Sequence, residues 1–154
     1  MKLLRAHGIG AALVAASLTL SACGGTDMKN PESVARAFME AYRKQDPAGM
    51  LVLMSTEDSG NRQIIQDAAK QGPTGEAHKE VFNPEMTAIL AGKDAKVEGP
   101  RYDADGHPTF KVAQDADDAY TVTLVQANGA WSIRELGHST NAEFQALPTK
   151  GPGG

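Results

Sequence analysis

The chain has 154 residues and one cysteine, and its 15 Lys and Arg against 19 Asp and Glu give a formal net charge of −4. A mildly acidic surface argues against nucleic acid or an anionic lipid headgroup as the main partner. A single cysteine excludes an intrachain disulfide, and the length suits one domain with a modest core.

Residues 1–22 have the parts of a secretory signal peptide. Lys2 and Arg5 make a basic start, the apolar run 8–20 follows, and small residues precede Cys23. The run has thirteen residues, whereas a helix that crosses the bilayer needs about 20. We therefore expect export without a membrane-spanning helix, and removal of the two basic residues leaves a net charge of −6.

The end of this signal, Leu20-Ser21-Ala22-Cys23, resembles the lipobox of bacterial lipoproteins. The resemblance implies cleavage before Cys23, lipid on its sulfur and usually acylation of its amine, which together anchor a protein stably in a membrane. Residues 23–30 are then a short lipidated tether. Gly24 rather than Asp after the cysteine favours the outer membrane, on its periplasmic face, in a Gram-negative cell. An ordinary secretory signal with a chance cysteine is the alternative.

The body of the chain begins with helices. Asn30-Pro31-Glu32 and Asp46-Pro47 are typical helix starts, because Asn or Asp caps the first turn and Pro suits the first helical position. A third helix is predicted to end at Gly72-Pro73, and another begins at Asn83-Pro84. Residues 76–82 receive no assignment. The apolar faces of these helices indicate packing on another layer.

From residue 96 onward the apolar period changes from helical to two, which is typical of strands. An irregular edge strand is expected at 97–102, because Gly99-Pro100 interrupts a ladder of backbone hydrogen bonds. Asn128-Gly129 predicts a tight hairpin turn. Clearer strands are predicted at 109–114, 120–127 and 130–136.

The hairpin sets a register in which Leu124 opposes Ile133, and it defines an apolar face of the sheet. Phe110 reaches that face if it opposes Leu124, which requires a loop of three or five residues around 115–118. A two-residue turn would move its side chain to the polar face. Helices followed by an antiparallel sheet predict one α+β domain over 31–137, with the helices on one side. Residues 138–154, rich in Pro and Gly at their end, are expected to be a flexible tail.

Two segments resemble the nuclear transport factor 2-like superfamily, also called cystatin-like. Residues 30–55, "NPESVARAFMEAYRKQDPAGMLVLMS", resemble its opening helix pair, and 119–136, "AYTVTLVQANGAWSIREL", resemble its closing hairpin. Small bacterial lipoproteins with this domain also carry a lipobox. The resemblance implies a curved sheet around helices that form a cone-shaped cavity, but no single activity, since the superfold hosts isomerases, dehydratases, hydrolases and association modules.

The inward positions predict a cavity wall that is apolar apart from the phenols of Tyr42 and Tyr120. No carboxylate or histidine is expected on it, and acid–base catalysis needs a titratable group within reach of a substrate. Packing without a cavity is the plainer alternative. The expected lining residues are Phe38, Tyr42, Met54, Phe110, Tyr120, Val122, Leu124, Trp131 and Ile133.

These observations favour a membrane-anchored envelope lipoprotein that is not an enzyme. Its module would bind a partner protein or a small apolar ligand, with no cofactor and no catalytic residue. The alternative is a small enzyme of the isomerase or dehydratase kind, which would use Tyr42 or Tyr120 with a carboxylate elsewhere in the cavity. Cys23 is assigned to lipid attachment and not to thiol chemistry.

No metal site is expected. The segment Asp103-Ala104-Asp105-Gly106 resembles the middle of a calcium loop, but aligning its glycine places Arg101 and Val112 at the outer ligand positions. Nothing in the sequence brings two histidines together, and each is read as a solvated loop residue, so zinc is not supported. The histidines of the mature chain are His78, His107 and His138.

Overall fold

A computed structural model describes residues 25–57, 60–93 and 95–152, so the predicted signal peptide and Cys23 lie outside the described residues. Within them, five helices precede four strands and one helix follows. The helices are α1 Pro31–Arg43, α2 Pro47–Leu53, α3 Gly60–Gln71, α4 Glu76–Val81, α5 Pro84–Leu90 and α6 Asn141–Ala146. The strands are β1 Glu98–Tyr102, β2 Pro108–Asp115, β3 Asp118–Ala127 and β4 Ala130–Thr140.

The strands form an open antiparallel sheet in the order β1-β2-β3-β4, which confirms the α+β class. Helices α1 and α5 pack against it, and α2 and α3 pack on one another. Strand β1 is an edge strand with an irregularity between Glu98 and Arg101, as Gly99-Pro100 predicts. No helix of the described segments has the length and apolar character that crossing a bilayer requires.

Side-chain caps explain where three of the helices begin. The Asn30 side chain accepts the backbone N–H of Glu32 at 2.9 Å, and Asp46 accepts that of Gly49 at 2.9 Å. The Asn83 side chain accepts the backbone N–H of Met86 at 2.9 Å. Each cap satisfies a donor that has no partner inside its own helix, and Pro occupies the first turn. These three predicted starts are confirmed, and α4 lies in the unassigned stretch.

The hairpin between β3 and β4 has the predicted register. Asn128 and Gly129 have positive φ angles of 52° and 78°, as a type I′ turn requires, and Leu124 pairs with Ile133. Beyond that pair a bulge leaves Arg134 without an opposite residue. The extra residue shifts the pairing of the rest of β4 by one position and reverses its side-chain alternation. As a result, His138 lies opposite Tyr120.

The predicted register between β2 and β3 is wrong by two residues. Phe110 pairs with Val122 rather than Leu124, and Asp115 pairs with Asp118 across a two-residue turn. A second bulge, at Val112, compensates for the short turn. The extra residue reverses the side-chain alternation once more, so that Phe110, which precedes the bulge, points to the apolar face. Phe110 is 1% exposed, which confirms the prediction that it is buried. The prediction of a loop of three or five residues is wrong.

The core lies between α1, its neighbouring helices and the apolar face of the sheet. Burying one large side chain of this kind contributes about 1.5–3 kcal/mol, and the two layers are joined mainly where α1 packs on β2 and β4 and where α5 packs on β2. Its largest fully buried side chains are Phe38, Phe110, Met39, Met50, Leu53, Ile65, Leu124, Ile133, Val34 and Val122.

The C-terminal segment is ordered in the structure, where the sequence predicts a flexible tail from residue 138. Strand β4 continues to Thr140, and α6 buries Phe144 to 2% exposure. The Thr140 hydroxyl and the Glu143 carboxylate form a capping box at the start of α6. Past α6 the chain returns to β1, where the backbone N–H of Tyr102 donates to the carbonyl oxygen of Pro148 at 2.9 Å.

Both edges of the sheet have partners outside the named strands. On β4 the backbone N–H of Trp131 donates to the carbonyl oxygen of Met28 at 2.7 Å. Further along, the carbonyl oxygen of Ile133 accepts the N–H of Ser55 at 2.7 Å. Pro148 covers part of β1 in the same way. Occupied edges protect a sheet from pairing with other chains.

Candidate functional site

A pocket of about 350 Å³ opens between the helices and the apolar face of the sheet. Its size lies at the lower end of the range for small-molecule sites. Residues from the five helices α1 to α5 and from the three strands β2 to β4 line it. The apolar part of the wall consists of Phe38, Met39, Met50, Ile64, Ile65, Val81, Met86, Leu90, Val112, Val122 and Leu136.

Four of the nine expected lining residues lie in this pocket: Phe38, Tyr42, Tyr120 and Val122. The other five do not line it: four are buried elsewhere in the core, and Trp131 packs against the core. Trp131 is only half-buried there. These five are Met54, Phe110, Leu124, Trp131 and Ile133.

Tyr42 is a buried lining residue of the pocket, and its hydroxyl already has a hydrogen-bond partner. The phenol donates to the carbonyl oxygen of Val81 at 3.1 Å, and its ring packs on Phe82 at 5.2 Å between centroids. Burial raises the pKa of Tyr42, and the neighbouring Thr87 hydroxyl lowers it to a lesser extent. A neutral phenol whose proton is committed to the backbone acts here as part of the wall.

Titratable groups do reach the pocket, contrary to expectation. His138 and Tyr120 stand side by side at its mouth with ring centroids 5.1 Å apart, and Glu80 lies on the wall. His138 Nε2 is 3.4 Å from an oxygen of Asp118. The sequence interpretation ended β4 at Leu136 and left α4 unassigned, so it placed neither His138 nor Glu80 on this face.

The mouth of the pocket is acidic. Burial raises the pKa of the Tyr120 phenol, and the negative charges of Asp118, Asp115 and Glu85 raise it further. Asp115 and Asp118 are paired across the β2–β3 turn, and Glu85 lies in the first turn of α5. We name Glu80, Glu85, Asp115 and Asp118 the acidic rim. His138 is the one basic side chain among the described residues that line the pocket.

A larger depression of about 770 Å³ lies on the other side of α1. Its wall is polar and holds exposed ion pairs along α1, in which Arg36 contacts Glu32 and Lys44 contacts Glu40. Exposed pairs of this kind contribute little and are screened by salt. We therefore take the smaller pocket, with its apolar wall and few polar groups, as the candidate site.

The structure brings Asp103, Asp105 and His107 within 4.8 Å of one another. One Asp103 oxygen accepts the backbone N–H groups of Asp105 at 3.0 Å and His107 at 2.7 Å. The Arg134 guanidinium lies 3.0 Å from His107 Nδ1. A fixed positive charge beside the imidazole disfavours a metal cation, so the group stabilises the turn between β1 and β2.

His78 is not a solvated loop residue. It belongs to α4, is 7% exposed and packs on the Phe82 ring at 4.6 Å between centroids. His107 is half-buried in its turn, and His138 lies on β4. The three histidines thus have different environments. Among the described residues, no group of possible metal ligands contains two histidines.

Comparison with protein-family models, with curated proteins and with solved structures finds no match for this chain.

One sequence signal would have located His138. Thr140-Asn141-Ala142-Glu143 has the spacing of a capping box, which marks a helix start and so argues against a flexible tail from 138. Strand β4 then has room to continue to that cap. The bulge at Arg134, which decides the face that His138 occupies, has no comparable signal in the sequence.

Proposed function

We propose that this protein is an exported lipoprotein, anchored in a bacterial membrane through Cys23, whose α+β domain binds a small apolar ligand without chemical turnover. The observation that carries the proposal is the pocket of about 350 Å³ with an apolar wall. Removing apolar surface from water gives roughly 25 cal/mol per Å². A small ligand that fills the pocket therefore binds mainly through this effect.

A small molecule suits the site better than a partner protein. The pocket is a concave space between two layers, which a flat protein surface does not fill. Protein partners are instead recognised through exposed apolar patches. Among the described residues, Val52 is the one large apolar side chain that is strongly exposed, at 52%.

The nuclear transport factor 2-like identity belongs to the same proposal. Its support is that the two segments that resemble the superfamily fold as a helix pair, α1 and α2, and as a Trp-bearing hairpin, β3 and β4. Their apolar sides face each other across the pocket. The curvature of the sheet and the lipid anchor are expectations carried over from the resemblance.

A volume-filling variant tests the ligand proposal. Ile64 lies on the pocket wall and is half-buried, so Ile64→Trp places an indole in the space that a ligand would occupy. Val52→Trp adds the same group at an exposed position and serves as the matched control. The wild type and the control should retain a small molecule in native mass spectrometry after expression in the native host, and Ile64→Trp should not. Wild-type protein that carries nothing, and that binds no apolar fluorescent probe, would contradict the proposal.

The anchor has an independent test. Intact mass spectrometry of the mature protein should show an N-terminal cysteine with added acyl chains, and Cys23→Ser should abolish both processing and membrane association. An unmodified Cys23 in the mature protein would overturn the lipid anchor without affecting the proposed pocket.

A second candidate function is an enzyme of the isomerase or dehydratase kind in the same pocket. The observation in its favour is the pair of Tyr120 and His138 at the mouth, with Asp118 3.4 Å from His138 Nε2. An imidazole beside a carboxylate and a phenol can hold and move protons at a bound substrate. This alternative predicts that the retained molecule is converted over time and that His138→Ala stops conversion while binding persists. No conversion by the wild type removes the alternative.

A further inference from the structure

We infer that the ligand of this pocket is a cationic amphiphile, with an apolar body in the pocket and a positively charged amine or quaternary ammonium at its mouth. The inference rests on the proposed ligand pocket and adds the chemical class of the ligand. What carries it is the separation of the site into an apolar wall and an acidic mouth.

The carboxylates of the acidic rim come from three separate parts of the fold that border the pocket. Glu80 lies in the last turn of α4 on the pocket wall, and Glu85 lies in the first turn of α5 next to the lining residue Met86. Asp115 and Asp118 face each other across the β2–β3 turn. Asp118 lies 3.4 Å from Nε2 of His138, which lines the pocket, and this contact places the Asp115–Asp118 pair at the mouth.

Opposing positive charge at this mouth is small. His138 faces Asp118 at 3.4 Å, and the Glu143 carboxylate at the start of α6 also lies near it. None of the described residues that line the pocket is Lys or Arg. An anionic head group would therefore be repelled, whereas a cationic head adds attraction to several carboxylates at once.

The aromatic groups at the mouth suit the same ligand class. Tyr120 and His138 pack ring against ring at 5.1 Å and border the opening. The face of a tyrosine ring attracts a cation, including a quaternary ammonium that forms no hydrogen bonds. In a molecule with an alkyl chain and an ammonium group, the chain can thus contact the apolar wall while the ammonium group binds at the mouth.

A set of matched probes tests the inference. Decyltrimethylammonium, decyl sulfate and decanol share one chain length and differ in head-group charge, and each is titrated below its aggregation concentration by calorimetry. In 20 mM salt we expect decyltrimethylammonium to bind about tenfold or more tightly than decyl sulfate, because several exposed charge pairs each contribute a factor of up to about five. Raising the salt to 0.5 M should reduce the ratio to about twofold.

The double variant Glu80→Gln and Asp118→Asn should reduce the same ratio, whereas Glu135→Gln, which removes an exposed charge elsewhere on β4, should not. If the double variant does not fold, the salt series on the wild type decides. Equal binding of the two charged probes, or tighter binding of decyl sulfate, overturns the inference and leaves the pocket intact. Failure of all three probes to bind contradicts the proposed function itself.

Discussion

The ammonium group of Lys111 lies 3.0 Å from the carboxylate of Glu98, and the two side chains differ sharply in exposure, at 7% and 49%. Lys111 also donates to the side chains of Gln114 at 2.9 Å and Asn141 at 3.1 Å, and it lies over the Phe144 ring. A buried cation on the sheet face opposite the pocket is thereby connected to β1, β2 and α6.

The two partners of this pair should respond unequally to substitution. Glu98→Ala leaves the buried ammonium of Lys111 without its counter-charge, and we expect a loss of about 1–2 kcal/mol in the free energy of unfolding. Lys111→Met removes the charge itself and keeps an apolar stem, so its effect should stay within about 1 kcal/mol. Urea denaturation measures both, with Glu57→Ala on an exposed loop as the control. A larger loss for Lys111→Met would contradict this account.

Phe144 should contribute to stability as a core residue does. It is 2% exposed under α6, so Phe144→Ala should destabilise the domain by about 3 kcal/mol. Urea denaturation again provides the measurement, and Lys150→Ala at an exposed position of the same segment should change little. A flexible tail would give no loss for either variant, so this experiment separates the structure from the expectation drawn from the sequence.

The capping box of α6 should make stability depend on pH. Hydrogen bonds from the backbone and hydroxyl of Thr140 hold the pKa of Glu143 below its ordinary value of 4.5. A carboxyl whose pKa is lower in the folded state stabilises the protein above pH 4.5, and this contribution disappears as the pH falls through the lowered pKa. The stability difference between the wild type and Glu143→Gln should therefore be present at pH 7 and vanish in acid, as a series of urea denaturations across pH can show. A difference that is constant with pH would contradict the assignment.

The amide of Trp131 should exchange slowly although it faces the outer edge of β4. Its N–H donates to Met28, so protection depends on the segment before α1. In a chain that begins at Asn30, we expect hydrogen exchange at Trp131 to accelerate about tenfold or more, whereas Val122 in the middle of the sheet should be unchanged. Equal exchange of Trp131 in both chains would show that Met28 is not docked in solution.

Local signals in the sequence predict most of the elements of this fold. Caps at Asn30, Asp46 and Asn83 and the turn at Asn128-Gly129 each act over three or four residues, so they can be recognised without knowledge of the tertiary structure. The apolar periods then indicate which faces are buried. These signals are sufficient for the α+β class and for the pairing nearest the hairpin turn.

The site is less predictable because two bulges decide which side chains reach it. The bulge at Val112 permits a two-residue turn where a longer loop is expected, and the bulge at Arg134 turns His138 toward Tyr120. A bulge is chosen by the packing of both strands, and neither local propensity nor alternation marks its position. The apolar wall is therefore foreseeable, whereas the acidic and aromatic mouth is not.

The docking of Met28 on β4 would bring the hairpin end of that strand close to the bilayer if Cys23 carries lipid. Only five peptide units separate the two residues, a reach of at most about 18 Å, and Trp131 stands near the hairpin end of β4. His138 is seven residues further along the strand, roughly 20 Å away at the opposite end. With that end at the bilayer, the opening of the pocket would lie at the end of the sheet away from it. Ligand would enter and leave through the aqueous compartment rather than by lateral transfer from the lipid.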